Sequence, residues 1–205
     1  MFPVDKNGIP VDPNAYRSRD FWDTRYATGQ HHDWLAVSKE DLAEHFKPFI
    51  TEESRVLVLG CGTSPFSRDL LKILKPHSVE SVDYAPSAIT HMQETHPDMT
   101  WRVMDIRDMQ EYANGSFDCV VDKATLDAFF ADGSSPWDPS DQVRSDVGMA
   151  IKECHRVLKP SGWFLSVSLG QPHFRLPYYT VEGLVWQQVD KKAFSTFSHI
   201  YCLRR

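Results

Sequence analysis

The sequence predicts an α/β domain built on a mostly parallel sheet, with helices on both faces and an antiparallel pair of strands at its end. Three observations carry this prediction. Short, nearly continuous apolar runs alternate with stretches of helical periodicity from Arg55 to Ser168, the pattern of strands buried on both faces by crossover helices. A Gly-x-Gly turn, Gly60-Cys61-Gly62, follows the first of those runs. After Gly170 two strand-like runs follow each other with only a polar turn between them, which suits antiparallel pairing.

Taken in order, Ser18 is placed to cap a short helix through Tyr26, on which Trp22 and Tyr26, four residues apart, share a face. A second helix starts at Ser38, with Asp41 completing a variant of the capping box and Leu42, Phe46 and Phe49 pointing inward. Strands are expected at Val56–Leu59, Val79–Asp83, Thr100–Met104, Phe117–Asp122 and Gly162–Ser168. Helices are expected at about Pro65–Leu74, Pro86–Thr95 and Gln142–Leu158, the last ended by Pro160. The final pair is expected at Leu184–Val189 and Phe197–Leu203, turning at Asp190–Lys192. Residues 1–17, with three prolines in the first fifteen positions, are expected as a flexible arm, and residues 18–205 as one domain.

Composition narrows the function. A chain of 205 residues, 41% hydrophobic and 24% charged, has room for one such domain and little more, so specificity must come from loops and termini. With 22 Lys and Arg against 28 Asp and Glu, the net charge of −6 gives no basic field for nucleic acid or anionic membranes and favours a basic protein partner. No run approaches the roughly 20 apolar residues of a membrane span, and no secretory or transit pattern opens the sequence. The four cysteines form no C-x-x-C pair, which reads as reduced cytoplasmic thiols without a metal site.

The glycine turn places Gly60 and Gly62 at the carboxyl edge of the sheet, where backbone can approach a ligand. About twenty residues on, the second strand ends in Asp83, placed either to accept both hydroxyls of a ribose or to cap the Pro86 helix. That pairing fits a nicotinamide or a methionine-derived cofactor equally. Pro65 then stands where a dinucleotide fingerprint needs its third glycine. Asp105 ends the third strand and is followed by Ile106, an acceptor and an apolar cover suited to adenine. The stretch Arg156-Val-Leu-Lys-Pro-Ser-Gly162 is similar to a turn common in methyltransferases. Together these favour S-adenosylmethionine on a Rossmann-like, seven-stranded sheet.

Several segments carry a more specific likeness: Phe21-Trp-Asp-Thr-Arg-Tyr26, Trp34, Leu59-Gly-Cys-Gly-Thr-Ser64, Ser81-Val-Asp-Tyr84, Met104-Asp-Ile106, the run Phe117 to Asp127, and Pro172-His-Phe-Arg175. From about Asp20 onward the sequence resembles the eukaryotic elongation factor 1-alpha lysine methyltransferases. The resemblance implies cofactor contacts from Trp22, Tyr26, Trp34, Gly60, Asp83, Tyr84, Asp105, Ile106 and Lys123. It also implies a segment required for activity from Asp122 to Asp127, and a protein substrate, elongation factor 1-alpha. Ala124 replaces the family's usual glycine and Thr63 its usual asparagine; because alanine avoids positive φ, the loop after the fourth strand is expected to differ in detail.

The chemistry of the residues agrees. Trp22, Tyr26 and Trp34 can present π faces to a sulfonium cation, or form an apolar lid. Lys123 beside that cation requires pairing with Asp122 or with the methionine carboxylate of the cofactor, or contributes its backbone alone. Asp122 and Asp127 are the candidates to orient an acceptor amine. Trp137, in the loop Asp132–Asp141, and His173 are expected at the substrate groove, with pinning of the loop and capping of a turn as the plainer roles.

Overall fold

The computed structural model describes residues 2–5, 9–31, 33–35, 38–195 and 197–205. Five parallel strands form the body of the sheet: β1 (Arg55–Leu59), β2 (Ser78–Asp83), β3 (Thr100–Val103), β4 (Phe117–Lys123) and β5 (Leu158–Ser168). The terminal strands β6 (Gln188–Ala193) and β7 (His199–Arg204) run antiparallel to their neighbours, in the order β3-β2-β1-β4-β5-β7-β6. The helices are α1 (Arg19–Ala27), α2 (Lys39–Phe46), α3 (Phe66–Leu74), α4 (Pro86–Thr95), α5 (Thr125–Phe129), α6 (Asp141–Val157) and α7 (Pro172–Tyr179). Ser18 caps α1 through Phe21 N–H, and Ser38 caps α2 through Asp41 N–H, as the sequence predicts.

The two-residue period of the strands divides the core. Leu57 and Leu59 of β1 point to the face packed by Val143, Val147 and Ile151 of α6, together with Val120, Phe164 and Tyr201. Val56 and Val58 point to the other face, against Leu42 and Phe46 of α2, Leu70 of α3 and Met92 of α4. Each such aliphatic side chain contributes about 1.5–3 kcal/mol on burial, so a one-residue slip of β1 would invert both faces at once.

Strand order reverses at β1, whose neighbours are β2 and β4, and open α/β sheets bind ligands in the crevice outside the strand ends at such a point. Residues 13–17, placed in the arm by their composition, form one turn of 3-10 helix with Ala15 buried.

Three expectations need correction. The terminal reversal lies between Ala193 and His199, where Phe194 N–H donates to Ser198 O, not at Asp190–Lys192. β6 is an exposed edge strand carrying Lys191 and Lys192, a device that discourages edge pairing, so it has no apolar alternation to read. Leu184 and Trp186, the apolar residues that suggested a strand, pack on the core instead, with Trp186 Nε1–H donating to Tyr179 O. Pro160 does not end α6, which stops at Val157; it sits within β5 at a register shift opposite Phe117 and Cys119, a position that suits a residue without an N–H.

Candidate active site

A cavity of about 270 Å³ opens at the carboxyl ends of β1, β2 and β4. Of the sequence-predicted residues, Trp22, Tyr26, Trp34, Gly60, Asp83, Tyr84, Asp105, Ile106, Lys123 and Asp127 all stand on its wall. Gly62 lines a smaller recess beside it, shared with Tyr26, Trp34, Gly60 and Lys123. Asp122, Trp137 and His173 are on neither wall.

The two glycines are explained by the protein itself. Gly62 has φ +48°, and a Cβ there would lie 2.5 Å from Tyr26 Oη; Gly60 has φ +51°, and its Cβ would meet the Thr125 side chain. The turn therefore admits two side chains, from α1 and α5, against its backbone. Asp83 is buried and bonded on both oxygens, Oδ2 accepting from Gly62 N–H at 2.8 Å and Oδ1 from Ala85 N–H at 2.9 Å. Burial pushes its carboxyl up to about 6, a rise that the backbone donors of Ala85 and Gly62 restrain.

Asp105 is engaged by Arg107, which was not anticipated. Its oxygens accept from Arg107 Nε at 3.0 Å, Nη2 at 2.6 Å and the Arg107 backbone N–H at 2.9 Å. Burial acts to raise this carboxyl, but the Arg107 hydrogen bonds outweigh it and hold it below the usual range.

The roof is aromatic. Trp22 stacks on Tyr26 with centroids 5.8 Å apart and meets Trp34 edge-on at 5.8 Å, while Tyr16 packs edge-on against Trp34 at 5.6 Å. Trp22 Nε1–H donates to Tyr16 O at 2.7 Å, fixing the ring. Met104, Ile106 and Phe129 supply apolar walls.

Lys123 finds a partner ninety positions away in sequence. Its Nζ donates to Asp33 Oδ1 at 2.9 Å and to Trp34 O at 2.5 Å, and Ser64 Oγ donates to the same Asp33 oxygen at 2.6 Å. Asp33 lies in a segment without periodicity or motif, so no sequence signal marks it, and the same holds for Tyr16 and Arg17; Arg107 directly follows the Met104-Asp-Ile106 motif, which gives its side chain no role.

Asp122 is fully buried beneath the site. Its Oδ1 accepts from Thr125 N–H and Leu126 N–H, capping α5, and its Oδ2 accepts from Ser166 Oγ at 2.6 Å. Burial raises its carboxyl to about 7. With its lone pairs directed at the protein, it sits below the chamber in which an acceptor amine was expected to meet it. Ala124, between these elements, adopts φ +63° despite its Cβ, so the loop keeps the conformation natural to glycine instead of departing from it. Asp127, by contrast, lines the cavity, held by Arg175 Nη2 at 2.9 Å, by Ser168 Oγ and by Leu169 N–H.

Trp137 and His173 meet each other. The Trp137 ring, 77% exposed, stacks on His173 at 5.2 Å and meets Phe174 edge-on at 4.8 Å. The loop that carries Trp137 leaves from Ala131 on the cavity wall, and α7, which carries His173, starts just after Leu169 on the same wall.

The sequence and the fold match known proteins. Residues 57–166 match the family model of the methyltransferase domain. Over 99% of its length the chain is 34% identical to the EEF1A lysine methyltransferase 4 of Mus musculus, covering 81% of that protein; the Bos taurus protein of the same name is 33% identical over 87% of the chain. The chain belongs to the EEF1A lysine methyltransferase family. As a member it is an enzyme that transfers methyl groups. It is also 28% identical, over 82% of its length, to the human eEF1A lysine and N-terminal methyltransferase, of which it covers 24%. Among solved structures, a Pyrococcus horikoshii protein has the same fold at TM-score 0.62 and 17% identity, with 80% of this chain and 88% of that one aligned. The N-methyltransferase NodS from Bradyrhizobium japonicum, in complex with S-adenosyl-L-homocysteine, aligns at TM-score 0.58 and 16% identity over 93% of this methyltransferase and 98% of its own chain. No helix among the described residues is long and apolar enough to cross a membrane.

Proposed function

We propose that this methyltransferase uses S-adenosylmethionine to methylate the ε-amine of a lysine in elongation factor 1-alpha, in the cytoplasm. One observation carries the reading: an aromatic-roofed cavity at the switch point of the sheet holds both strand-end acids, with a third acid, Asp127, on its wall. The substrate rests on the relatives, whose names place them on eEF1A. The net charge of −6 supports a basic partner and gives nothing to attract nucleic acid or a membrane surface.

The residues present fit the cofactor. Asp83 and Asp105 offer carboxylate oxygens for ribose hydroxyls and the adenine amine, Ile106, Met104 and Phe129 cover a ring, and Trp22, Tyr26 and Trp34 favour a cation at about 0.5–2 kcal/mol per contact. Lys123, neutralised by Asp33, can stand in the same chamber without repelling it. When bound, S-adenosylmethionine supplies a methyl group already activated by its positive sulfur.

The protein then has to align an amine. A lysine enters as an ammonium with pKa about 10.4, and burial among Ala128, Phe129, Ala131 and Leu169 lowers that value until a lone pair is exposed. Asp127 accepts a hydrogen bond from the amine and orients it, its own direction fixed by Arg175, while water receives the proton. Asp122 acts one step removed, as the cap that places α5 and hence Asp127. The exposed pair Trp137–His173 receives the polypeptide around the acceptor lysine. Residues 18–205 make up the methyltransferase domain, and residues 1–17 its N-terminal arm.

The test is mass spectrometry of purified elongation factor 1-alpha after incubation with enzyme and S-adenosylmethionine. One lysine is expected to gain methyl groups. If none does while a different protein in a lysate is labelled, the substrate is wrong and the enzyme class survives.

A further inference from the structure

Asp146 lies on the buried face of α6, in the same stripe as Val143, Val147 and Ile151, and is only 3% exposed. A carboxylate in that position is strongly unfavourable unless fully paired. Its pairing comes from two sides of the active site. Oδ1 accepts from Arg107 Nη1 at 2.9 Å and from Gln142 Nε2 at 3.1 Å; Oδ2 accepts from Arg17 Nη2 at 2.9 Å.

The two arginines serve different sides of the cavity, Arg17 lining it directly and Arg107 standing behind Asp105, which lines it. Arg107 grips Asp105 through its backbone N–H and two guanidinium nitrogens. Arg17 ends the 3-10 turn Pro13–Arg17, whose Tyr16 packs on Trp22 and Trp34 and accepts the Trp22 indole N–H through its carbonyl. Asp146 is not on the cavity wall itself.

We infer that Asp146 is a positioning residue for cofactor binding, a clasp that fastens the roof segment Pro13–Arg17 to the Asp105 wall so that both sides of the cavity close on the ligand together. The inference rests on the reading of this cavity as the cofactor site. The two arms of the clasp differ in kind. Arg17 reaches Asp146 with a single N–H, which a lysine ammonium can replace. Arg107 forks onto Asp105 while also reaching Asp146, which a point charge cannot reproduce.

The experiment uses the full chain, calorimetric titration with S-adenosylhomocysteine, and limited trypsin cleavage after Arg17. Asp146→Asn and Arg17→Gln should each weaken binding roughly ten-fold, as loss of a hydrogen bond between charged groups does. The double variant should bind no worse than either single one, since both remove the same link. Arg17→Lys should stay within about three-fold of the parent. In kinetics, Asp146→Asn should raise the KM for S-adenosylmethionine far more than it lowers kcat. The ligand should slow cleavage after Arg17 in the parent and fail to do so in Asp146→Asn. A role confined to folding predicts a lower melting temperature with unchanged affinity, and that result overturns the clasp, as do additive losses in the double variant. Should Asp146→Asn not fold, the contrast between Arg17→Gln and Arg17→Lys decides the matter. Asp83→Ala serves as the control: if it too leaves affinity unchanged, the cavity is not the cofactor site. If it alone weakens binding, the clasp has failed and the site stands.

Discussion

Gly60 and Thr125 occupy one space. A Cβ on Gly60 would lie 2.3 Å from both Cγ2 and Oγ1 of Thr125, whose hydroxyl donates to Leu59 O at 2.9 Å and so ties α5 to the end of β1. Gly60→Ala therefore meets a steric conflict as well as a left-handed backbone, and is expected to cost about 2–4 kcal/mol. Urea denaturation checks this. Thr125→Ala in the same chain should recover part of the loss, because it removes two of the three clashing atoms; strict additivity would contradict the shared space.

The two acids of the active segment separate by function. Asp127→Asn should leave S-adenosylhomocysteine affinity within about two-fold and lower kcat at least ten-fold, as loss of a positioned charge beside the acceptor does. Asp122→Asn should act on stability first and on turnover only through α5. Equal kcat losses with unchanged melting temperatures would place Asp122 at the chemistry after all.

Acidity should separate binding from folding. Because burial holds the Asp83 carboxyl at about 6, it loses its charge as pH falls through that value, and cofactor affinity should be roughly ten-fold weaker at pH 5 than at pH 8. Asp83→Asn should bind weakly with no such slope. For the cofactor-free chain the sign reverses. Asp122, raised to about 7 by burial, contributes most stability when protonated and loses it as pH rises through 7. The melting temperature of Asp122→Asn relative to the parent should therefore climb between pH 5 and pH 8. Working from this difference cancels the histidines His31 and His155, which burial holds low and which act in the opposite sense.

Charge recognition by the roof can be read from two ligands. Trp22→Leu should weaken S-adenosylmethionine more than neutral S-adenosylhomocysteine, by about 1 kcal/mol or roughly five-fold. Calorimetry giving equal losses for both would reduce the ring to packing.

The body of the sheet was legible because β1, β2, β4 and β5 are buried on both faces and write nearly unbroken apolar runs, and because Ser18 and Ser38 carry the chemistry of caps. β6 was misplaced because an exposed edge has no buried face to show. Helices α5 and α7 were invisible: one is five residues long and owes its start to a buried aspartate, the other contains Pro177. Within the site, the strand-end acids could be found because topology alone puts strand ends together. Asp33 and Arg17 could not, since each enters through a tertiary pairing that leaves no spacing in the chain. Arg107, which grips Asp105 two residues before it, could not because spacing alone does not say which way an arginine turns. Ala124 shows the reverse limit: the residue argued against a left-handed turn, and the surrounding bonds to Asp122 imposed one.

The four cysteines, all buried and with thiols pushed upward by burial, Cys202 to about 11, leave the native surface chemically silent toward maleimides at neutral pH. A fluorophore or spin label introduced through a single new cysteine will then report from that site alone. A pair of labels, on residue 16 of the roof and on residue 137 of the exposed loop, would report the one distance between those two parts, recorded on single molecules during turnover.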